Sequence, residues 1–176
     1  MSIVAAIHRQ KEMWIGCDTA TNYRDEIHPK ANKCIIAPDG RSALGHAGDG
    51  LILDLVLGNK KRLSFGKPPR DMSKSIRSII DADNSIHPYY ENKEITPDYR
   101  QSWIYAWRGG ICIIASDLSL LNDDEVCAIG SGAPYAMGAE FEAAGSPKDI
   151  LDRMLRAAMK WNVWCGGEAL MWRIKT

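Results

Sequence analysis

Short apolar runs that break at turn-forming residues, set between two pairs of helical segments, constrain this chain more than any other feature of its sequence. Ser2–His8 and Met13–Asp18 read as two buried strands joined by a polar turn, and Thr19–Lys33, polar and without a period, reads as a loop. Cys34–Ala37 and Ser42–Ala47 form a second hairpin across Pro38-Asp39-Gly40, a turn signal. Leu51–Leu57 is a buried helix closed by Gly58, and Asn59–Arg70 is a basic connector. Apolar residues at 72, 76, 79 and 80 give Met72–Ile80 helical spacing, and the polar stretch Asp83–Tyr99 is a surface excursion. Ser102–Trp107 and Gly110–Ala115 make a third hairpin, followed by a short strand, Glu125–Ile129. Ser131 is the expected cap of a helix running to about Ala144. Ser146 caps the next, with Pro147 in its first position and Asp149 in its first turn. Ala169–Ile174 is a final strand. The order is strand hairpins, helices, strand hairpins, helices, strand. An α+β arrangement of two antiparallel sheets covered by helices accommodates it.

At 176 residues the chain suits one domain, 1–176, with enough length to bury a sizeable core. Lys+Arg equals Asp+Glu, so no overall field favours nucleic acid or an anionic membrane. No apolar stretch approaches the roughly 20 residues of a membrane span, and the opening lacks the basic start of a signal peptide. Cysteines 17, 34, 112, 127 and 165 are odd in number and contain no C-x-x-C pair. They point to reduced thiols in a cytoplasmic protein, and no cofactor is expected.

The chemistry-bearing stretch is the beginning, Met1-Ser2-Ile3-Val4-Ala5-Ala6-Ile7. With Met1 removed, Ser2 carries a hydroxyl and a free α-amine on one residue. Such an amine has an ordinary pKa of about 7.7–8.0 and can act as base for its own hydroxyl. Five further stretches follow in order: Gly16-Cys17-Asp18-Thr19; Lys33; Leu44-Gly45-His46-Ala47-Gly48; Ala128-Ile129-Gly130-Ser131-Gly132-Ala133-Pro134-Tyr135-Ala136; and Trp161-Asn162-Val163-Trp164-Cys165-Gly166-Gly167. Together these resemble the proteasome β-subunit family, most closely its bacterial HslV-type members, over nearly the whole chain. The Gly130-centred segment is the most specific match.

The resemblance implies a four-layer αββα sandwich, the N-terminal nucleophile hydrolase fold, with the chain start at the active site. It assigns Ser2 as nucleophile and its α-amine as base, with Lys33 beside them to favour the ionised hydroxyl. The Gly48 N–H would stabilise the tetrahedral oxyanion, a donor worth about 2.7–4 kcal/mol. Asp18 would hold Lys33, Ser131 would hydrogen-bond around the amine, and His46 would lie near the floor of the specificity pocket. The substrate would be a peptide or protein, the assembly a homo-oligomeric ring or other closed compartment, and an ATP-dependent unfoldase a possible partner.

Two residues depart from the family pattern. Asn162 stands where proteasomal members have aspartate, keeping an acceptor but losing a charge, and Cys165 replaces a serine. A retained Met1 would turn the Ser2 amine into an amide that cannot be a base. The leading expectation is a peptidase that forms an acyl-enzyme on Ser2. The alternatives are a catalytically inactive subunit with a structural or assembly role and, third, an amidohydrolase of the wider N-terminal nucleophile class.

Overall fold

Alternation along the central strands sorts the side chains into three separate cores. The computed structural model describes residues 2–23, 26–28, 32–83, 101–121 and 125–176. One sheet consists of β1 (Val4–Arg9), β2 (Glu12–Asp18), β10 (Val126–Ile129) and β11 (Ala169–Ile174), in the order β10-β1-β2-β11. The other contains β5 (Cys34–Ile36), β6 (Ser42–Ala47), β7 (Ser102–Trp107), β8 (Gly110–Ile114) and β9 (Leu120–Leu121), in sequential order. All their ladders are antiparallel.

In β1, Val4 and Ala6 join a core with Ala43, Ile104 and Ala106 of the other sheet, while Ala5 and Ile7 turn the opposite way. That opposite face is covered by α3 (Ala133–Phe141) and α4 (Pro147–Trp161), through Ala136, Leu151, Met154, Leu155 and Ala158. The outer face of the second sheet, with Leu44, Trp103 and Tyr105, is covered by α1 (Gly50–Gly58) and α2 (Pro69–Asp81), through Ile52, Val56, Met72 and Ile76. Period-2 alternation gives each strand two buried faces, and each sheet needs a helical layer on its outer one. The result is the αββα sandwich.

Helix boundaries follow local chemistry. Ser146 and Asp149 form a reciprocal capping box at the start of α4, with Pro147 in the first turn. Helix α2 begins at Pro69, earlier than the apolar spacing alone indicates, because proline suits the first turn and Asp71 favours the positive end of the helix. Gly58 lies inside α1; the cap is Asn59, whose Nδ2 donates to the Leu55 carbonyl at 3.0 Å. The basic connector contains one 3-10 turn, Lys60–Arg62.

Three expectations need correction. The Thr19–Lys33 loop contains β3 (Thr21–Tyr23) paired with β4 (Glu26–His28), a ribbon held by main-chain pairing with no apolar period to betray it. Helix α3 is shorter than 131–144, and its N-cap position is Gly132 without a side-chain cap, so Ser131 does not cap it. The two-residue strand β9 is too short to carry any alternation. Residues 84–100, most of the polar excursion, lie outside the described residues, as does Met1. Among the described residues, no helix is long and apolar enough to cross a membrane.

The β1–β2 hairpin pairs Arg9 with Glu12, which leaves a two-residue loop, Gln10-Lys11, with φ of 54° and 63°. Positive φ at both positions is what a type I′ turn requires, and neither residue is glycine. A left-handed conformation costs an ordinary residue roughly 1–2 kcal/mol, part of which glycine's greater unfolded-state freedom offsets. Lys11→Gly should therefore raise stability by about 0.5–1 kcal/mol in urea unfolding at an unchanged denaturant slope. A destabilised variant would refute this account of the turn.

Candidate active site

Asp18 ends β2 with its carboxylate fully buried, and three donors converge on it. Oδ1 accepts from the Ile3 N–H at 3.0 Å and from Lys33 Nζ at 2.5 Å, and Oδ2 accepts from the Gly166 N–H at 3.0 Å. The Asp18 N–H returns a bond to the Ile3 carbonyl at 3.2 Å. Lys33, 4% exposed, comes from the approach to β5 and forms a buried ion pair with this carboxylate. One oxygen thereby holds both the residue after Ser2 and the lysine ammonium.

Ser2 is itself buried, just before β1, and its carbonyl accepts from the Gly132 N–H at 3.3 Å. Gly130 makes this approach possible. Its φ is +94°, and a Cβ there would stand 2.2 Å from the Ser2 carbonyl oxygen. Gly48, in the turn from β6 into α1, has φ +149°, and Asp49 caps that helix by accepting from the Leu51 N–H at 2.9 Å.

Other sequence candidates occupy supporting positions. The Ser131 hydroxyl is enclosed against the Cys165 thiol. Asn162 is not turned towards Ser2. Its Nδ2 donates to the Ser131 carbonyl at 2.5 Å, and its Oδ1 accepts from the Trp164 N–H at 2.9 Å. It ties the loop after α4 to the segment before α3. The neighbouring Cys165 thiol is pushed up to about 11, chiefly by burial and then by the Asp18 charge. Cys34 is also raised well above the ordinary thiol range, by burial first. Both thiols are protonated at neutral pH, and neither is suited to nucleophilic attack. Cys17 is lowered, mainly by a hydrogen bond with Cys34, but it is fully enclosed between the sheets.

His46 lies on β6 directly opposite Trp103 of β7, with ring centroids 4.3 Å apart and planes at 51°. Burial lowers its pKa to about 4, the Gln101 side chain opposes this, and the Lys33 charge adds to it. The imidazole is neutral at pH 7. Among the described residues, no group of three His, Cys, Asp or Glu side chains is placed to hold a metal ion.

Four participants were not legible beforehand: Gly166 as a donor to Asp18, Gly130 against Ser2, and Gln101 and Trp103 beside His46. The first two act through backbone, which no residue type announces. The i, i+2 spacing of Gln101 and Trp103 at a strand start was the one available signal for the other pair.

No protein-family model and no curated protein sequence matches the chain. Solved structures do match it. Thiobacillus denitrificans BPH in complex with epoxomicin has a TM-score of 0.81 at 17% identity, over 98% of both chains. Thiobacillus denitrificans BPH has a TM-score of 0.78 at 19% identity, over 98% of this chain and 97% of that one. Eukaryotic HslV from Trypanosoma brucei has a TM-score of 0.72 at 14% identity, over 99% of both. The chain has the αββα fold of these HslV and BPH structures.

Two outcomes follow from this geometry. Breaking a buried ion pair leaves an uncompensated charge, at a cost of about 3–5 kcal/mol. Lys33→Met should lose stability on that scale, and Asp18→Asn added to it should restore part of the loss. A double variant as unstable as the sum of its parts would show that charge balance is not what holds this pair.

His46 also makes stability depend on pH. Its folded pKa is lower than its unfolded one, so the unfolded chain binds the proton first as pH falls. The stabilisation is complete above pH 6.5 and is lost progressively towards pH 4, on the order of 3 kcal/mol in all. His46→Gln should flatten the stability profile between pH 5 and 6.5. An unchanged slope would assign the dependence to other groups.

Proposed function

We propose that this chain is an N-terminal nucleophile peptidase subunit that hydrolyses peptide bonds through an acyl-enzyme on Ser2. The observation that carries this reading is the shared Asp18 oxygen, which binds both the Ile3 N–H and Lys33 Nζ and so brings the ammonium to the chain start. Removal of Met1 frees the α-amine of Ser2. The amine takes the hydroxyl proton as Oγ attacks the substrate carbonyl, then passes it to the departing amine. The Lys33 charge favours the alkoxide and the unprotonated amine. The Gly48 N–H, at the mouth of the turn into α1, receives the oxyanion. Water then repeats the sequence on the acyl-enzyme and releases the second product.

The fold shared with HslV supports an assembly of copies into a ring or other closed compartment, fed by an ATP-dependent unfoldase where substrates are folded. Exposed Tyr135, Trp161, Val163 and Trp164, close in sequence to Ser131 and Asn162, are apolar surface that such an assembly would cover. The chain acts as one domain, and its reduced, enclosed cysteines suit a cytoplasmic setting.

A second reading, an inactive subunit with a structural role, draws on Asn162. Its side chain is committed to Ser131 and Trp164 and brings no charge to the amine. Hydrolysis of short fluorogenic peptides by the processed protein separates the two. Activity in the parent, lost by at least 100-fold in Ser2→Ala with folding intact, supports the peptidase. An equally active Ser2→Ala variant refutes the mechanism, and a processed but inert parent supports the structural role.

A further inference from the structure

The chain as a whole is neutral, but its charge is not spread evenly. Residues 60–77 hold seven of the 22 Lys and Arg residues and one of the 22 acidic ones, and all seven cations are exposed. The fold gathers them on one surface. After the 3-10 turn the connector runs back along α2: Arg62 Nη2 donates to the Ser78 carbonyl and hydroxyl at 3.0 Å each, and the Ser64 N–H donates to Ser75 Oγ at 3.2 Å. A groove of about 500 Å³ opens between connector and helix, lined by Ser64, Lys67, Asp71, Lys74 and Ser75. Along α2, Arg70, Lys74 and Arg77 fall at i, i+4 and i+7, so they share its outer face, opposite Met72, Ile76 and Ile79 in the core.

Neither lysine of the groove is neutralised within the chain. Among the described residues, Lys67 and Lys74 form no ion pair with Asp71 or any other carboxylate. Neighbouring cations lining a concave surface set up a positive local potential that attracts anionic groups. The walls decide which anion fits. No aromatic ring lines the groove for a base to stack on, and Phe65 of the connector packs against the core instead. Asp71, half-buried in the wall, lies between Lys67 and Lys74 in sequence. A phosphate polymer offers that carboxylate only like charge and acceptor atoms. A peptide offers main-chain N–H donors to it and carboxylates to the lysines.

We propose that this groove docks an extended acidic segment of a partner protein, with Asp or Glu at alternate positions. From Arg70 to Arg77 the helix rises about 10.5 Å, the reach of roughly three extended residues. Side chains at i and i+2 of such a segment point the same way, about 6.8 Å apart, which sets two carboxylates against the lysine-bearing walls. The groove belongs to the α1–α2 layer, on the other side of the two sheets from Tyr135 and Trp161, and the inference does not depend on the reading of Ser2.

The test uses the full chain at low ionic strength, where exposed charges are least screened. Fluorescence anisotropy follows three labelled probes of equal charge: a peptide of alternating Glu and Ser, a single-stranded oligothymidylate and an inorganic polyphosphate. The expected result is saturable binding of the peptide, at least tenfold tighter than either phosphate polymer and weakened at least tenfold in Lys67→Glu/Lys74→Glu. The same change of charge on α4, in Lys148→Glu/Lys160→Glu, should leave the affinity within twofold of the parent. Both double variants alter only exposed side chains, and circular dichroism checks that each is folded. No binding of the peptide, or an equal loss in both double variants, overturns the inference. Tighter binding of either phosphate polymer also overturns it and assigns the groove to phosphate.

Discussion

A single carboxylate, that of Asp18, sets the geometry on which the rest of the site depends. It closes the end of β2, fixes the chain start through the Ile3 N–H, holds Lys33 from the opposite sheet and anchors the segment after α4 through the Gly166 N–H. Burial of the carboxylate strengthens each of these interactions, and the loss of any would be costly. A buried charged pair is poor value as a stabiliser, since apolar residues of like volume often do as well or better. Its place at the junction of both sheets holds an ammonium beside the chain start, where the proposed nucleophile would use one.

The two-sheet architecture supplies the frame for that junction. Val4 and Ala6 face the other sheet while Ala5 and Ile7 face α3 and α4, so β1 is buried on both sides and its start is held as firmly as its middle. Ser2 inherits this order, with its carbonyl bound by the Gly132 N–H and a glycine at 130 where any side chain would collide with it. The nucleophile proposed at Ser2 would need little reorganisation to react.

Much of the fold was legible because its signals are local or periodic. The capping box of α4 is written in Ser146-Pro147-Lys148-Asp149, and the β5–β6 and β7–β8 hairpins in turn residues between apolar runs. The β3–β4 ribbon was not legible, because main-chain pairing without an apolar face leaves no period, nor was the early stop of α3, where Ser131 offered a false cap. At the site, Asp18, Lys33 and Gly48 stood out through a resemblance of short motifs in order, not through spacing. Asn162 shows where motif reading stops: the sequence marked only the loss of the family's carboxylate charge there, whereas the partners of its amide, the Ser131 carbonyl and the Trp164 N–H, come from tertiary placement. The contact of the Gln101 side chain with His46 arises from tertiary placement and could not be read from residue types.

The central claim is that Ser2 acts as a free N-terminal nucleophile, and the intact mass of the protein from its native source tests it most directly. The measurement is made before and after exposure to an electrophile selective for N-terminal hydroxyl nucleophiles. The account requires a chain lighter by one methionine that gains a single adduct, with none in Ser2→Ala. A chain that retains Met1 and takes up nothing would contradict it.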